Sequence, residues 1–314
     1  MSDRLKIAFM GTPDFALPSL ERLKTLYDVC AVFCQPDKAS GRGNKIMPGP
    51  VKNFALQNGI RVCQPDTFKN YGCKDLLASI DPELIVVAAY GRILPEYVLN
   101  YPKYGCINVH GSLLPKYRGA SPIQSAILNG DTQTGVTIMK IAEGLDSGDI
   151  ISQVSTDIGL YETAGQLFDR LSILGAQCLV DTIEDIVNGR AVYTPQNDTE
   201  SSYASMITKQ MGEINFNNTA MQVKCQVYGL NPWPLAYINA KTQSIKIHKV
   251  LLGNETNEQP GTIINIGKDG IEVACGDNKS VILTQVQRMG KRKMDAYSFS
   301  LGVKIKTGMS VYSL

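Results

Sequence analysis

The feature that most constrains the fold is a regular alternation, over the first half of the chain, of short apolar runs with longer helix-prone stretches. The run LIVVAA at 84–89 is apolar throughout, which is typical of a strand covered on both faces. Strand–helix–strand repeats at this spacing build a mostly parallel sheet between helices, so the sequence predicts an α/β fold. The predicted strands are residues 5–10, 29–34, 60–63, 84–89, 106–109 and 135–141.

A long helix is predicted for residues 163–188, because apolar side chains recur on one stripe over this stretch. Thr163 suits its N-cap and Gly189 suits its end. The polar segment 189–206 carries no clear period and is predicted to be a linker. The first domain is therefore expected to span residues 1–188. The stripe consists of Leu167, Leu171, Leu174 and Cys178.

The last third of the chain has a different pattern and is predicted to form a second domain, residues 207–314. A helix near 217–228 is followed by short β-prone runs such as SIKIHKVL and SVILTQV. Turn signals at 268–270 and 276–278 separate these runs, as in hairpins. Short strands at regular spacing are typical of a small β-barrel, which is the predicted architecture of this domain.

Composition narrows the class of protein. Apolar residues at 44% and charged residues at 19% fit a folded globular chain. The N-terminal apolar stretch is too short for a signal peptide, and no run of about 18 apolar residues follows. The eight cysteines contain no Cys-x-x-Cys pair and the two histidines lie far apart, so we expect no metal site. We expect thiols in a reducing cytoplasm, a monomer and no membrane partner.

Charge is distributed unevenly along the chain. Up to residue 206 there are 18 Lys and Arg against 22 Asp and Glu, and from residue 207 there are 13 against 7. A basic second domain suits a polyanionic partner. A lysine-rich solvated surface explains the same counts equally well.

One of the two histidines, His110, stands at the end of a predicted strand with the sequence CINVH, 106–110. Side chains alternate along a strand, so Asn108 and His110 face one side while Ile107 and Val109 face the other. In an open α/β sheet, ligands bind outside the carboxyl ends of the strands. Both polar side chains can donate hydrogen bonds there to one ligand atom.

Asp146 is a third candidate, because its glycine-flanked loop follows the predicted 135–141 strand at the same edge of the sheet. Together with Asn108 and His110 it would suit acyl transfer to an amine. The amide and imidazole would stabilise a tetrahedral oxyanion, and such donors contribute roughly a hundred- to a thousandfold each. The carboxylate would help to remove the amine's proton. From the residues alone, a structural histidine and an aspartate that caps a turn remain open alternatives.

Several motifs occur along the chain: Asn-x-His at 108–110, SLLP at 112–115, Arg-Gly at 118–119, LDSG at 145–148, FMGTPDFA at 9–16, QPDKASGRGNKIMPGPVK at 35–52, VVAAYGRILP at 86–95 and LNPWPLAY at 230–237. In combination they resemble the formyltransferase family that uses 10-formyltetrahydrofolate. The resemblance implies a Rossmann-like formyltransferase domain, an OB-like barrel behind it, and no metal. It also implies Asn108, His110 and Asp146 as the catalytic set. The implied folate contacts are Ser112, Leu113, Leu114 and Pro115.

Members of this family formylate different amines: amino-sugar nucleotides, glycinamide ribonucleotide or initiator methionyl-tRNA. The long basic loop 35–50 suits an RNA acceptor, and the resemblance implies that its Arg42 contacts tRNA. The stretch LNPWPLAY at 230–237 resembles the branch that acts on methionyl-tRNA. We therefore expect 10-formyltetrahydrofolate as formyl donor and initiator methionyl-tRNA as acceptor. The predicted tRNA contacts are Arg42, Lys45, Lys291, Arg292 and Lys293.

Three other functions fit parts of the sequence. An amino-sugar-nucleotide formyltransferase would share the first domain, and a non-catalytic tRNA-binding protein would use only the barrel. FMGTPDFA at 9–16 follows a strand as a dinucleotide-binding loop does, but it lacks the Gly-x-Gly-x-x-Gly pattern.

Overall fold

The computed structural model describes residues 4–37, 39–40, 45–241 and 243–314. The chain divides into two compact units. The first comprises residues up to 122 together with 134–156 and 168–204, and the second comprises 123–133, 157–167 and 205–314.

Up to residue 204 the described chain forms the following strands and helices. The strands are β1 Lys6–Gly11, β2 Asp28–Phe33, β3 Ala39–Ser40, β4 Lys45–Ile46, β5 Val62–Cys63, β6 Leu84–Ala88, β7 Cys106–His110, β8 Arg118–Gly119, β9 Gln133–Lys140, β10 Ile150–Asp157 and β11 Tyr203–Ala204. The helices are α1 Leu17–Leu26, α2 Pro50–Gln57, α3 Lys74–Ile80, α4 Glu96–Leu99, α5 Pro122–Leu128 and α6 Ala164–Val187.

The main sheet of the first unit has seven strands in the order β10-β9-β7-β6-β1-β2-β5. The pairs β1–β2, β1–β6, β6–β7 and β2–β5 are parallel, and β9 runs antiparallel to β7. All five residues of β6 are buried, as a continuous apolar run predicts. The predicted α/β fold with a mostly parallel sheet is confirmed.

Up to residue 204 the predicted bounds of the strands and of α6 hold to within two residues. Strand β5 begins at Val62 instead of Ile60, because the Ile60 N–H donates to the Ala55 carbonyl at the end of α2. Helix α6 begins where its cap was predicted. The Thr163 hydroxyl accepts from the Gln166 N–H, and the Gln166 side chain accepts from the Thr163 N–H.

The second unit is rich in antiparallel strands, as predicted. Its sheet has the order β12-β13-β16-β15-β14, with β17 paired to β16, and every pair is antiparallel. The hairpin turns predicted at 268–270 and 276–278 join β14 to β15 and β15 to β16. The elements are α7 Ala220–Gly229, β12 Ala236–Asn239, β13 Ser244–Glu255, β14 Ile263–Gly267, β15 Gly270–Ala274, β16 Lys279–Arg288, β17 Met294–Asp295 and α8 Ala296–Val303.

No helix in the described ranges is both long enough and apolar enough to cross a membrane.

Candidate active site

Strand β7 carries Asn108 and His110 on one face at its carboxyl end, as the period of two predicts. His110 is buried and Asn108 is half-buried. Among the described residues, no side chain or backbone group forms a hydrogen bond with the side-chain amide of Asn108. This side-chain amide is therefore available to a ligand. It lies at the carboxyl edge of the sheet, where α/β proteins bind their ligands.

The two nitrogens of the His110 ring have different neighbours. Nε2 lies 2.9 Å from the Tyr117 carbonyl oxygen, which can only accept, so Nε2 carries the proton of this hydrogen bond. Nδ1 lies 3.7 Å from Oδ2 of Asp146. Because Nε2 is occupied, Nδ1 is the nitrogen that can act on a ligand or on the carboxylate.

Asp146 is held beside His110 by the backbone around it. Its Oδ2 accepts a hydrogen bond of 2.9 Å from the Gly119 N–H, and its side chain is 18% exposed. Its carbonyl accepts a 2.9 Å hydrogen bond from Nε2 of Gln196. The structure thus brings the Asp146 carboxylate to His110, which spacing along the sequence could not establish.

The SLLP segment, 112–115, is tied down by buried hydrogen bonds. The Thr137 hydroxyl donates to the Ser112 carbonyl at 2.7 Å and accepts from the Leu114 N–H at 3.1 Å. The Ser112 hydroxyl donates to the Lys116 carbonyl at 2.6 Å. The polar groups of this segment are thus largely satisfied within the protein. Its predicted folate contact stays a prediction, in which half-buried Leu113 and Pro115 would offer apolar surface.

The segment predicted to be a linker makes extensive contacts within the first unit. Thr194 forms two backbone hydrogen bonds with Ile150, and β11 pairs in parallel with β8. Gln196 bonds the carbonyls of Asp146 and Gly148. These contacts were not predicted, because an aperiodic polar stretch carries no signal that separates a linker from a hydrogen-bonded segment.

Polar side chains also gather where the 35–50 loop leaves the sheet. Lys52 donates to Asp37 at 2.5 Å and to Gln64 at 2.7 Å. The hydrogen bond from Lys52, followed by one from Gln64, lowers the pKa of Asp37. The predicted contact Arg42 lies outside the described residues. Lys45 is described only in its backbone, which pairs with Ser40 between β3 and β4.

The other predicted tRNA contacts lie in the second unit. Lys291, Arg292 and Lys293 are all exposed in the loop between β16 and β17. The Lys291 carbonyl accepts a 2.7 Å hydrogen bond from the side chain of Gln287. A hydrogen bond therefore holds the backbone of this loop, and the loop exposes three cationic side chains.

The cysteines offer no activated nucleophile near the site. All eight are free thiols. Cys106 lies on β7 two residues before Asn108, and burial raises the pKa of its thiol to about 12. A neutral thiol is a poor nucleophile, so acyl transfer here would not proceed through it. The described residues contain no group of three or more His, Cys, Asp or Glu side chains that could hold a metal ion.

Comparison with known proteins extends over both units. Residues 5–183 match the formyl transferase family, and residues 206–304 match the formyl transferase C-terminal domain. The chain is 44% identical over 307 residues to methionyl-tRNA formyltransferase of Acetivibrio thermocellus, covering 97% of this chain and 98% of that protein. It is 45% identical over 306 residues to the protein of the same name in Alkaliphilus oremlandii, with coverage of 97% and 98%.

A solved structure shares the fold. The crystal structure of the N-formyltransferase of Helicobacter canadensis, in complex with folinic acid and dTDP-3-aminofucose, matches with a TM-score of 0.69 at 23% identity. The match covers 90% of this chain and 99% of that one. The family model matches more than half of the chain. The relatives are of nearly equal length and are 44–45% identical to it. The chain belongs to the formyl transferase family, in its methionyl-tRNA formyltransferase branch.

Proposed function

We propose that the chain transfers the formyl group of 10-formyltetrahydrofolate to the α-amino group of initiator methionyl-tRNA. The observation that carries this proposal is the approach of the Asp146 carboxylate to Nδ1 of His110, at 3.7 Å, beside the unbonded amide of Asn108. The relatives named for methionyl-tRNA formylation support the acceptor. The folinic acid in the Helicobacter canadensis structure supports a folate-type donor.

The reaction forms one carbon–nitrogen bond and breaks another. The free α-amine attacks the formyl carbon, and the carbonyl oxygen takes the electron pair as an oxyanion. The side-chain Nδ2–H of Asn108 and the protonated Nδ1 of His110 stabilise that oxyanion by hydrogen bonding. Asp146 accepts a proton from the attacking amine, directly or through water. Collapse of the intermediate expels the folate N10, which regains a proton, and leaves the formyl group on the amine.

Asp146 can act in two ways because its oxygens have different surroundings. Oδ2 is fixed by the Gly119 N–H and faces Nδ1 of His110. A carboxylate in this place helps to orient the imidazole. No hydrogen bond from the described residues engages Oδ1, so this oxygen is available to the amine's proton.

The basic loop of the second unit supports RNA as the acceptor. Lys291, Arg292 and Lys293 are exposed, and residues 207–314 carry 13 Lys and Arg against 7 Asp and Glu. Contacts from such side chains to phosphates would set affinity and its dependence on salt. Base-specific recognition would require other groups.

One assay tests the proposal. The protein is incubated with 10-formyltetrahydrofolate labelled in the formyl group and with charged initiator tRNA. Label on the aminoacyl group, released by mild alkali as formylmethionine, is the expected result. Uncharged tRNA and a nucleotide-linked amino sugar serve as parallel acceptors. Label on the amino sugar and none on methionyl-tRNA would contradict the proposed acceptor, and no transfer to either would contradict the proposed activity.

A further inference from the structure

Both acceptor groups that face the His110 ring are anchored by one stretch of chain, the 194–204 segment. The Tyr117 carbonyl accepts from Nε2, and the Asp146 carboxylate faces Nδ1. Each of these two residues has a left-handed backbone, with φ of 62° at Tyr117 and 47° at Asp146. Such conformations cost non-glycine residues free energy and persist only where neighbouring contacts hold them.

Gln196 anchors the Asp146 side of this arrangement. Its Nε2 donates to the Asp146 carbonyl at 2.9 Å and to the Gly148 carbonyl at 2.7 Å. Its Oε1 accepts a 2.9 Å hydrogen bond from Nε of Arg118, whose side chain is only 4% exposed. Arg118 in turn pairs with Asp198 at 2.8 Å. One amide thus joins the Asp146 loop to β8, whose Gly119 N–H bonds the Asp146 carboxylate.

Ser202 and β11 anchor the Tyr117 side. The Ser202 hydroxyl accepts from the Tyr117 N–H at 2.9 Å, and the Ser202 carbonyl accepts from the Arg118 N–H at 2.8 Å. At Gly119 the two short strands approach so closely that a Cβ would lie 2.8 Å from the Ala204 carbonyl oxygen. The 194–204 segment therefore holds the whole run from Tyr117 to Gly119.

We infer that Gln196 is a positioning residue for the formyl transfer, acting through Asp146, and that the 194–204 segment supports both sides of His110. The three hydrogen bonds of the Gln196 side chain join it to the Asp146 and Gly148 carbonyls and to Arg118, and not to the imidazole or the carboxylate. It sets the backbone from which the carboxylate projects, and displacement of a reacting group by about 1 Å costs roughly a hundredfold in rate. This role rests on the proposed function.

The test replaces Gln196 by Met, which keeps the length of the side chain but removes all three hydrogen bonds. The matched control is Gln226→Met in the second unit. Gln226 also donates to two backbone carbonyls, those of Met211 and Glu213, at 2.7 and 2.9 Å. Titration with 5-formyltetrahydrofolate gives the concentration of protein that is folded and binds folate. The kcat is then expressed per folate-binding site. Formyl transfer to methionyl-tRNA is then measured for each protein.

For Gln196→Met we expect kcat per folate site to fall about ten- to a hundredfold. We expect the KM for 10-formyltetrahydrofolate and the affinity for 5-formyltetrahydrofolate to stay within about twofold of the parent, because their contacts are unchanged. Gln226→Met should keep its kcat. In an Asp146→Asn background under single-turnover conditions, Gln196→Met should cause little further loss, because its effect acts through that carboxylate.

A kcat per site for Gln196→Met that equals the parent's would overturn the positioning role. The role would also be overturned if adding Gln196→Met to Asp146→Asn lowered the rate by the same factor as Gln196→Met lowers it in the parent. If Gln196→Met binds no folate, Gln196→Glu is measured instead. It keeps an acceptor for Arg118 and removes only the two hydrogen bonds donated to the Asp146 and Gly148 carbonyls. The same two outcomes then decide. Failure of the parent protein to formylate methionyl-tRNA would contradict the proposed function and is seen before any variant is made.

Discussion

At the scale of single residues, the Asp146 carboxylate supports our proposal that His110 is catalytic and not only structural. A histidine that only packs needs one acceptor, and the Tyr117 carbonyl already provides it for Nε2 of His110. Oδ2 of Asp146 lies 3.7 Å from Nδ1 and so places an anionic group beside the other nitrogen of the ring. Such arrangements are frequent at functional sites.

Replacing Asp146 by Asn tests this directly. The amide can still accept from the Gly119 N–H, so we expect the free energy of unfolding to change by less than about 1 kcal/mol. Loss of the proton acceptor should lower kcat about a hundred- to ten-thousandfold. Asp149→Asn is the matched control, since no described residue hydrogen-bonds the Asp149 side chain. Urea unfolding and formyl transfer are measured together, and near-parental activity of Asp146→Asn would remove the mechanism.

At the scale of elements, the turn between β14 and β15 depends on one glycine. In the second unit the turn between β14 and β15 places Gly270 at φ of 136°. A Cβ there would lie 2.1 Å from the Leu283 carbonyl oxygen of β16. The three-strand arrangement β14-β15-β16 therefore requires glycine at this position.

The substitution Gly270→Ala is predicted to destabilise the second unit by about 2 kcal/mol or more, because it combines an unfavourable φ with a backbone clash. Gly267→Ala, at the other end of the same turn, is the control. Its Cβ would meet nothing within 4 Å and its φ is not positive, so we expect a change below about 1 kcal/mol. Equal destabilisation of the two variants in urea unfolding would contradict this account.

At the scale of the whole molecule, the uneven charge predicts how acceptor binding responds to salt. Changing Lys291, Arg292 and Lys293 together to Gln should raise the KM for methionyl-tRNA and flatten its dependence on salt. Each lost phosphate contact should reduce the slope of log K against log salt by about 0.7 to 0.9. The KM for folate should not change.

The control replaces three other exposed lysines, Lys209, Lys268 and Lys306, by Gln. A similar effect in the control would show that net charge, and not this loop, governs binding.

Stability should also depend on pH through the other histidine. His248 is buried; its Nε2 bonds Gln287, while no described group bonds its Nδ1. Burial, reinforced by Lys293 and Lys246, lowers the pKa of His248 below 6.5. As pH falls through 6.5 the unfolded chain binds this proton first, so the free energy of unfolding decreases. In urea unfolding between about pH 8 and pH 5.5, His248→Gln should lose less stability than the parent. Equal losses would contradict this.

Much of the fold follows from patterns that can be recognised in the sequence. The apolar run of β6 identifies a strand, and the alternation along β7 identifies a strand and the side that each of its residues faces. The Thr163 cap identifies the start of α6. These predictions succeed because side-chain period and capping are local properties of a few neighbouring residues. The segment 189–206 carries no such pattern, and its strand pairing and hydrogen bonds were not predicted.

By itself the sequence determined the α/β order, the antiparallel second part, and the placement of Asn108 and His110 on one face of a strand end. Only the tertiary structure decided that Asp146 meets Nδ1 of His110, that Tyr117 occupies Nε2, and that Gln196 bonds the backbone of Asp146. The reason is physical: strand period acts over a few residues, whereas these contacts join loops whose paths are set by the packing of the whole sheet.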